Sequence, residues 1–539
     1  MDFNAQQQAV ITEMVDGDGN LLVQSYAGTG KTTVTTTGAR GMPGQVLLCA
    51  FGVQTRDDLK AKMEGTDTLV RTTHQLGFRV AAQRLGSKVM GDDPEAKGWK
   101  IAEEVCADPQ NRKHTRWVYK AASFAKNAGL RGANIRPMLL PIIEDSGAPF
   151  DTDFQPKDME ELVWRCLKRA KEQKEYLDYD DMVWLPYVYN LVPKNKYAAV
   201  LVDELQDLNT PQAWLVEQLC APKKYGGRLI GVGDEYQWLY GFRGAGGAMQ
   251  RFRELGAKEL SMPVSFRCAR AIVQYARQYV PMFEAAPGAP EGEVVHVPVP
   301  AGRKGQPADR AFAAAKMVDP RVGDAILSRT NAPLLPTAVR LLHKGMPVAI
   351  AGRDLGDALK GLIERSRAQS PIDLRNWITR YKNKLEVVFK SETARATKRD
   401  QADALDAVAE ISRDMFTLQQ DIDRLFQKPK GQHVLLSTVH RAKGLEWDRV
   451  WLVEPSFVDP SGEEMGSANM CIRYVACTRA KTVLFLVGDM TSTEDDEKAR
   501  AGGTRIATDL DELSGCERLD RQIDEQRERI ADSRAGRRR

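Results

Sequence analysis

A chain of 539 residues with a formal net charge of +4 is long enough for three or four compact units, at about 100 to 200 residues each. It is too near neutrality to be a polycation, so any nucleic-acid surface must be local. Eight cysteines without a C-x-x-C pair exclude a zinc-finger framework and point to a reduced, intracellular chain. The start MDFNAQQQAV lacks a basic, apolar leader pattern, and no apolar run reaches about 18 residues. A soluble, cytoplasmic protein with no membrane partner is expected.

In chain order, NLLVQS, QVLLCAF, YAAVLVDE and RLIGVGDE precede about residue 262, and DAILSRTN, VLLSTVH, RVWLVEP and VLFLVGD follow it. Each is a short apolar run ending in polar, glycine-bearing or acidic residues, the pattern of buried parallel strands that carry functional groups at their C-terminal ends. With helical segments between them, they predict an α/β chain with two doubly wound parallel-sheet domains. Residues 81–186 are helix-rich and contain NRKHTRWVYKAASFAKNAGLRGANIRP, where Arg112, Lys113, Arg116, Lys120, Lys126, Arg131 and Arg136 occur without one Asp or Glu. That stretch reads as a solvated face or as a face contacting phosphates. A second helical stretch, 353–430, ends with Leu405, Val408, Met415, Leu418, Ile422 and Leu425 recurring at three and four residues. Packing of a helical pair explains this spacing better than a coiled-coil partner does. The densely charged CERLDRQIDEQRERIADSRAGRRR predicts a solvated helix giving way to disorder.

SYAGTGKTT, Ser25 to Thr33, follows the first strand and approaches the phosphate-loop pattern G-x-x-x-x-G-K-[ST], with Ser25 at the first glycine. Ala27, Gly28, Thr29, Gly30, Lys31 and Thr32 offer a tight turn, inward N–H groups, a cation for the β/γ-phosphates and a hydroxyl for Mg²⁺. In VLVDELQD an apolar strand delivers Asp203 and Glu204, one suited to Mg²⁺ beside Thr32, the other to act as base or water-positioner. A nucleoside triphosphatase is expected.

With DELQD in place, the chain resembles the UvrD/Rep type of superfamily 1A helicases, and further motifs of that family follow in order over nearly the whole length. The resemblance implies two RecA-like motor domains, 1A over 1–80 and 187–262 and 2A over 263–352 and 431–490. It also implies a helical insertion 1B over 81–186, a reduced 2B-like insertion over 353–430 and a charged tail over 491–539. Gln7 in FNAQQQAV corresponds to the residue that reads the adenine edge, which implies ATP. In VGDEYQWLYGFRGA, Gln237 would lie near the γ-phosphate and Tyr240 and Phe242 near DNA bases. VSFRC supplies Phe266 as the adenine-stacking ring and Arg267 as a γ-phosphate contact. TVHRAKGLEW places Glu446 on the ribose and His440 and Lys443 beside the DNA, and YVACTRAK supplies Arg479. Phe51 of AFGVQTR, with Thr73 and His74 of RTTHQLGF, would extend the track for single-stranded DNA.

The chain departs from the family in three places. Thr33 stands where relatives carry an arginine opposite the stacking ring, AFGVQTR matches its motif only at Phe51, and the 2B-like stretch is short. The implied function is an ATP- and Mg²⁺-dependent DNA helicase that moves 3′ to 5′ on single strands and engages single-strand/duplex junctions. One alternative is a single-strand translocase or the motor subunit of a larger complex. The other is a non-catalytic ATP-binding scaffold, against which intact Lys31, Thr32, Asp203, Glu204, Arg267 and Arg479 argue.

Overall fold

The computed structural model describes residues 2–89, 96–132, 135–146, 154–238, 247–299, 313–388, 392–427, 431–453, 467–488 and 505–506. Tyr240, Phe242 and most of the expected tail lie outside them.

Two parallel sheets organise the chain. The first contains β1 (Leu21–Ser25), β2 (Val46–Ala50), β3 (Leu69–Thr72), β4 (Ala199–Asp203), β5 (Arg228–Gly233) and β6 (Lys258–Met262), in the spatial order β3-β2-β4-β5-β1-β6. The second contains β7 (Glu293–Pro298), β8 (Ala325–Ser328), β9 (Val348–Ile350), β10 (Val434–Thr438), β11 (Trp447–Val453), β12 (Ala480–Gly488) and β13 (Arg505–Ile506), in the order β9-β10-β8-β11-β12-β7-β13. Every residue of β1, β2, β4 and β5 is buried. Helices covering both faces of a parallel sheet leave no solvated side, which is why these strands read as unbroken apolar runs. The α/β fold class expected from the sequence is therefore observed. Within the expected tail, Arg505–Ile506 pairs with β7 as an edge strand.

Helices between Ala96 and Val188 pack around their own core of Ile101, Val118, Leu139, Val163, Leu167 and Trp184. The basic stretch there is only partly a surface. Lys126 is buried, 2.8 Å from both Asp178 and Asp181, and Lys97 pairs with Asp181 beside it. Arg131 lies 4.1 Å over the Tyr187 ring, and Arg136 lies over Trp164 and pairs with Glu161. Acids distant in sequence neutralise Lys126 and Arg136, so the absence of nearby acids was misleading there, while Arg131 is held by a ring rather than by an acid. Arg112, Lys113 and Arg116 remain exposed.

Four helices, Arg353–Ser366, Pro371–Val388, Glu392–Ile411 and Met415–Leu425, form the second insertion. Leu405, Val408, Leu418, Ile422 and Leu425 are fully buried in one core with Val339, Leu341, Ile350 and Leu436 of the second sheet layer. The three-and-four spacing thus marks packing onto the sheet as well as between helices.

Candidate nucleotide site between the sheets

β4, β5 and β1 are neighbours, so their C-terminal ends bring Asp203 and Glu204, Asp234, and the loop after Ser25 to one edge. Open parallel sheets place ligand sites at this edge. Gly28 and Gly30 have φ of +73° and +83°, and Gly30 caps the helix Lys31–Gly41. A Cβ on Gly28 would lie 2.4 Å from Arg267 Cβ and 2.8 Å from Ser265 Oγ, so the second half of the molecule closes directly on the loop. Ser25, where a glycine was expected, is fully buried; its hydroxyl lies 2.7 Å from Thr29 Oγ1, which in turn donates to Tyr26 O. The serine therefore braces the turn from inside. Lys31 Nζ donates to Ser25 O at 3.3 Å and lies 3.8 Å from Glu204.

Thr32 Oγ1 and Asp203 Oδ2 are 3.5 Å apart. Burial, with Glu204 adjacent, pushes Asp203 up to about 7. Burial acts on Glu204 too, but Lys31 and Lys443 outweigh it and hold that carboxyl below its usual range. The two acids are thereby driven apart in proton affinity. Glu204 occupies the left-handed region, φ +57°, ψ +48°, a strained conformation for a residue with a Cβ. Its carboxylate accepts from Gln206 Nε2 at 2.7 Å.

The second sheet faces this edge with the starts of its strands. Glu446 precedes β11 and Arg479 precedes β12, and Trp447 N donates to Arg479 O. Arg479 is 1% exposed, its guanidinium donating to Val475 O, Leu445 O and Thr478 Oγ1, and burial, with Arg267 nearby, pulls it down to about 10. Arg267 forms an ion pair with Glu446 at 2.5 Å, and Lys481 approaches the other carboxylate oxygen at 3.2 Å. Lys443 reaches across to Asp207 at 2.7 Å and to Gln237 O at 2.9 Å.

A cavity of about 740 Å³ results, lined by Gly28, Thr29, Gly30, Lys31, Thr32, Thr33, Phe51, Glu204, Asp207, Gln237, Phe266, Arg267, Lys443, Glu446, Arg479 and Lys481. Phe266 is 54% exposed, free to cover a flat ring. Cations from both halves surround a space floored by a phosphate-type loop, which suits a polyanionic nucleotide.

The other residues singled out in the sequence are divided between this cavity and positions away from it. Gln7 does not line the cavity: its amide receives Asn4 N and donates to Thr29 O, so it serves a helix cap and the loop backbone. Thr73 is fully buried, its hydroxyl accepting from Gln212 Nε2, and so is no surface contact. His74 stands edge-on to Tyr179, and burial lowers its pKa; burial, with Arg329 and Lys443, does the same to His440. Phe51, expected in the DNA track, reaches the cavity rim, and Lys443 lies inside the cavity. Asp207, Asp234, Tyr474 and Lys481 were not anticipated. Asp234, ending RLIGVGD, carries the strand-end signal already used for Asp203; Tyr474 carries no local signal.

Two family models match the chain: the UvrD/REP helicase N-terminal domain over residues 3–253 and the UvrD-like helicase C-terminal domain over 376–489. The F-box DNA helicase protein 1 of Schizosaccharomyces pombe is 27% identical over 90% of this chain and 57% of its own length. The ATP-dependent DNA helicase UvrD2 of Mycobacterium tuberculosis is 22% identical over 96% of this chain and 83% of its own. The ATP-dependent DNA helicase PcrA of Staphylococcus aureus is 26% identical over 44% of this chain. The chain spans little more than half the length of the fission-yeast relative and 34% of the PcrA relative.

Proposed function

The chain belongs to the UvrD/Rep family of DNA helicases, and from that premise we propose that it is a DNA-dependent ATPase that moves 3′ to 5′ on single strands and opens duplexes at junctions. The observation that carries this reading is the single cavity shared by Lys31, Thr32 and Glu204 of one half with Arg267 and Arg479 of the other. The two motor units would follow the boundaries given above for 1A and 2A, with the helical stretches as insertions.

In this reading the loop from Ala27 to Thr32 receives the phosphates, Lys31 takes the β/γ charge, and Phe266 covers the adenine with Thr33 opposite. Glu446 would receive the ribose, and Gln7 would read the base only after exchanging its bonds to Asn4 and Thr29. Glu204, kept ionised by Lys31 and Lys443, orients and deprotonates the attacking water; Gln237 senses the γ-phosphate. Arg267 and Arg479 neutralise charge that develops as the terminal phosphate leaves. Because those arginines come from the opposite half, hydrolysis requires the cleft to close, which couples chemistry to motion. DNA would cross the top of the cleft past Phe51, His74 and His440, with Tyr240 and Phe242 completing the track.

A magnesium ion fits Thr32 and Asp203. The described residues contain no group of three or more His, Cys, Asp or Glu able to hold a metal unaided, and two protein oxygens are what an ion also held by phosphates and water needs. Thr32 Oγ1 and Asp203 Oδ2 would hold such an ion, which would supply neutralisation of phosphate charge.

No helix among the described residues is long and apolar enough to cross a membrane. One observation favours a second reading, a translocase with weak unwinding: the second insertion shares its core with the motor sheet and is not a separately packed arm. Strand displacement on 3′-tailed, 5′-tailed and blunt duplexes tests both. ATP-dependent displacement of the 3′-tailed substrate alone supports the helicase; translocation with no displacement at any enzyme excess supports the second reading; displacement of the 5′-tailed duplex alone refutes the polarity.

A further inference from the structure

Helix Ser467–Cys477 belongs to the second half, yet Tyr474 on it reaches the first. The side chain is fully buried. Its phenolic oxygen accepts the N–H of Ala27, in the phosphate loop, at 2.9 Å, and its hydroxyl donates to Asp234 Oδ2 at 3.3 Å. The same carboxylate oxygen accepts Gln237 Nε2 at 2.7 Å. A continuous run of hydrogen bonds thus joins the loop to Gln237 through a residue of the opposite half.

The hydroxyl is held in place by packing. The Tyr474 ring meets Phe283 edge-on at 5.6 Å and Tyr236 at 6.3 Å, and Tyr26 closes the group at 5.9 Å from Tyr236 and 6.3 Å from Phe283. Burial and Asp234 raise the phenol far above its ordinary value, so it remains a donor at any working pH. Arg479 follows five residues later and donates from Nε to Val475 O, one residue after the tyrosine. A shift that brings Arg479 forward therefore moves the Tyr474 hydroxyl with it.

We propose that Tyr474 is a positioning residue that ties the placement of Arg479 to the phosphate loop and to Gln237, so that all three align together when the cleft closes. This rests on the reading of the cavity as an ATP-hydrolysing centre. A hydroxyl that merely satisfied a core donor would affect folding alone. One that aligns the loop with Gln237 affects turnover after nucleotide has bound.

Tyr474→Phe tests this, because it keeps all four rings and removes only the bridging oxygen. ATP hydrolysis would be measured with saturating single-stranded DNA, per mole of protein competent to bind a fluorescent ATP analogue, alongside thermal melting. The expected result is a kcat lower by about tenfold, with KM for ATP within about twofold and a thermal midpoint near wild type. In a cycle with Gln237→Ala, the double variant should be no slower than Gln237→Ala alone. Wild-type kcat in Tyr474→Phe, a lowered midpoint with unchanged turnover per competent molecule, or losses that multiply in the double variant would each overturn the assignment. A wild-type protein that hydrolyses no ATP with DNA present would instead refute the reading of the cavity, and the role of Tyr474 with it.

Discussion

Lys443 and Asp207 stand in different halves of the molecule and meet across the nucleotide cavity, the ammonium 2.7 Å from one carboxylate oxygen and 2.8 Å from the other. Both side chains are largely buried. Removing one partner of a buried pair strands the other charge, at a cost of about 3 to 5 kcal/mol. Lys443→Ala should lower the stability of the nucleotide-free protein by about 3 kcal/mol in chemical denaturation. Adding Asp207→Asn should return most of that loss; an equally unstable double variant would show that the stranded Asp207 charge is not its source.

Lys31→Ala should reduce DNA-stimulated ATP hydrolysis by at least about a hundredfold, since the proposed function gives its ammonium the β/γ-phosphate charge. Phosphate release at saturating DNA checks this, and retained stimulation would refute the role given to the loop.

Thr33→Arg should tighten nucleotide binding. Thr33 lines the cavity that also holds the exposed Phe266 ring, and a guanidinium over the adenine face is worth about 0.5 to 2 kcal/mol. The KM for ATP should fall about threefold or more; no change would mean that the base does not lie between these two positions.

Ser25→Ala removes a buried hydroxyl 2.7 Å from Thr29 Oγ1 and should cost about 1 kcal/mol of stability, read in denaturation, with a raised KM for ATP. An unaltered KM would confine the serine to folding.

Asp178, buried beside Asp181, is raised to about 6, chiefly by burial, against the attraction of Lys126. The native state therefore holds this proton to a higher pH than the unfolded chain does, and unfolding releases it between about pH 4 and 6. Over that window Asp178 makes stability fall as pH rises. Asp178→Asn should flatten this component, seen as a shallower dependence of denaturation free energy on pH relative to wild type. Parallel profiles would refute it.

Much of the architecture was legible because central strands of a parallel sheet are apolar throughout. Among the strands overlooked, β3 alternates half-buried and buried residues and β6 is mostly exposed, whereas β9 is buried throughout but only three residues long. Contacts made by folding alone were beyond reach. Lys126 finds acids more than 50 residues away, and Tyr474 meets Ala27 across 447 positions. The loop and the strand-end acids were readable because phosphate chemistry restricts residue type and spacing locally. Whether a lysine such as Lys443 faces DNA or the cavity depends on how two sheets are set against each other, which no local pattern encodes.

The common core of the second sheet and the four helices from Arg353 to Leu425 has a consequence for how this chain can change. An independently folded arm could be excised or exchanged without wounding its host. Here, cutting out the helices would strip the cover from Val339, Leu341 and Leu436 and leave a sticky wall on the motor. Any remodelling of the segment must keep an apolar lid in place, so variation is free only on the outward faces of those helices.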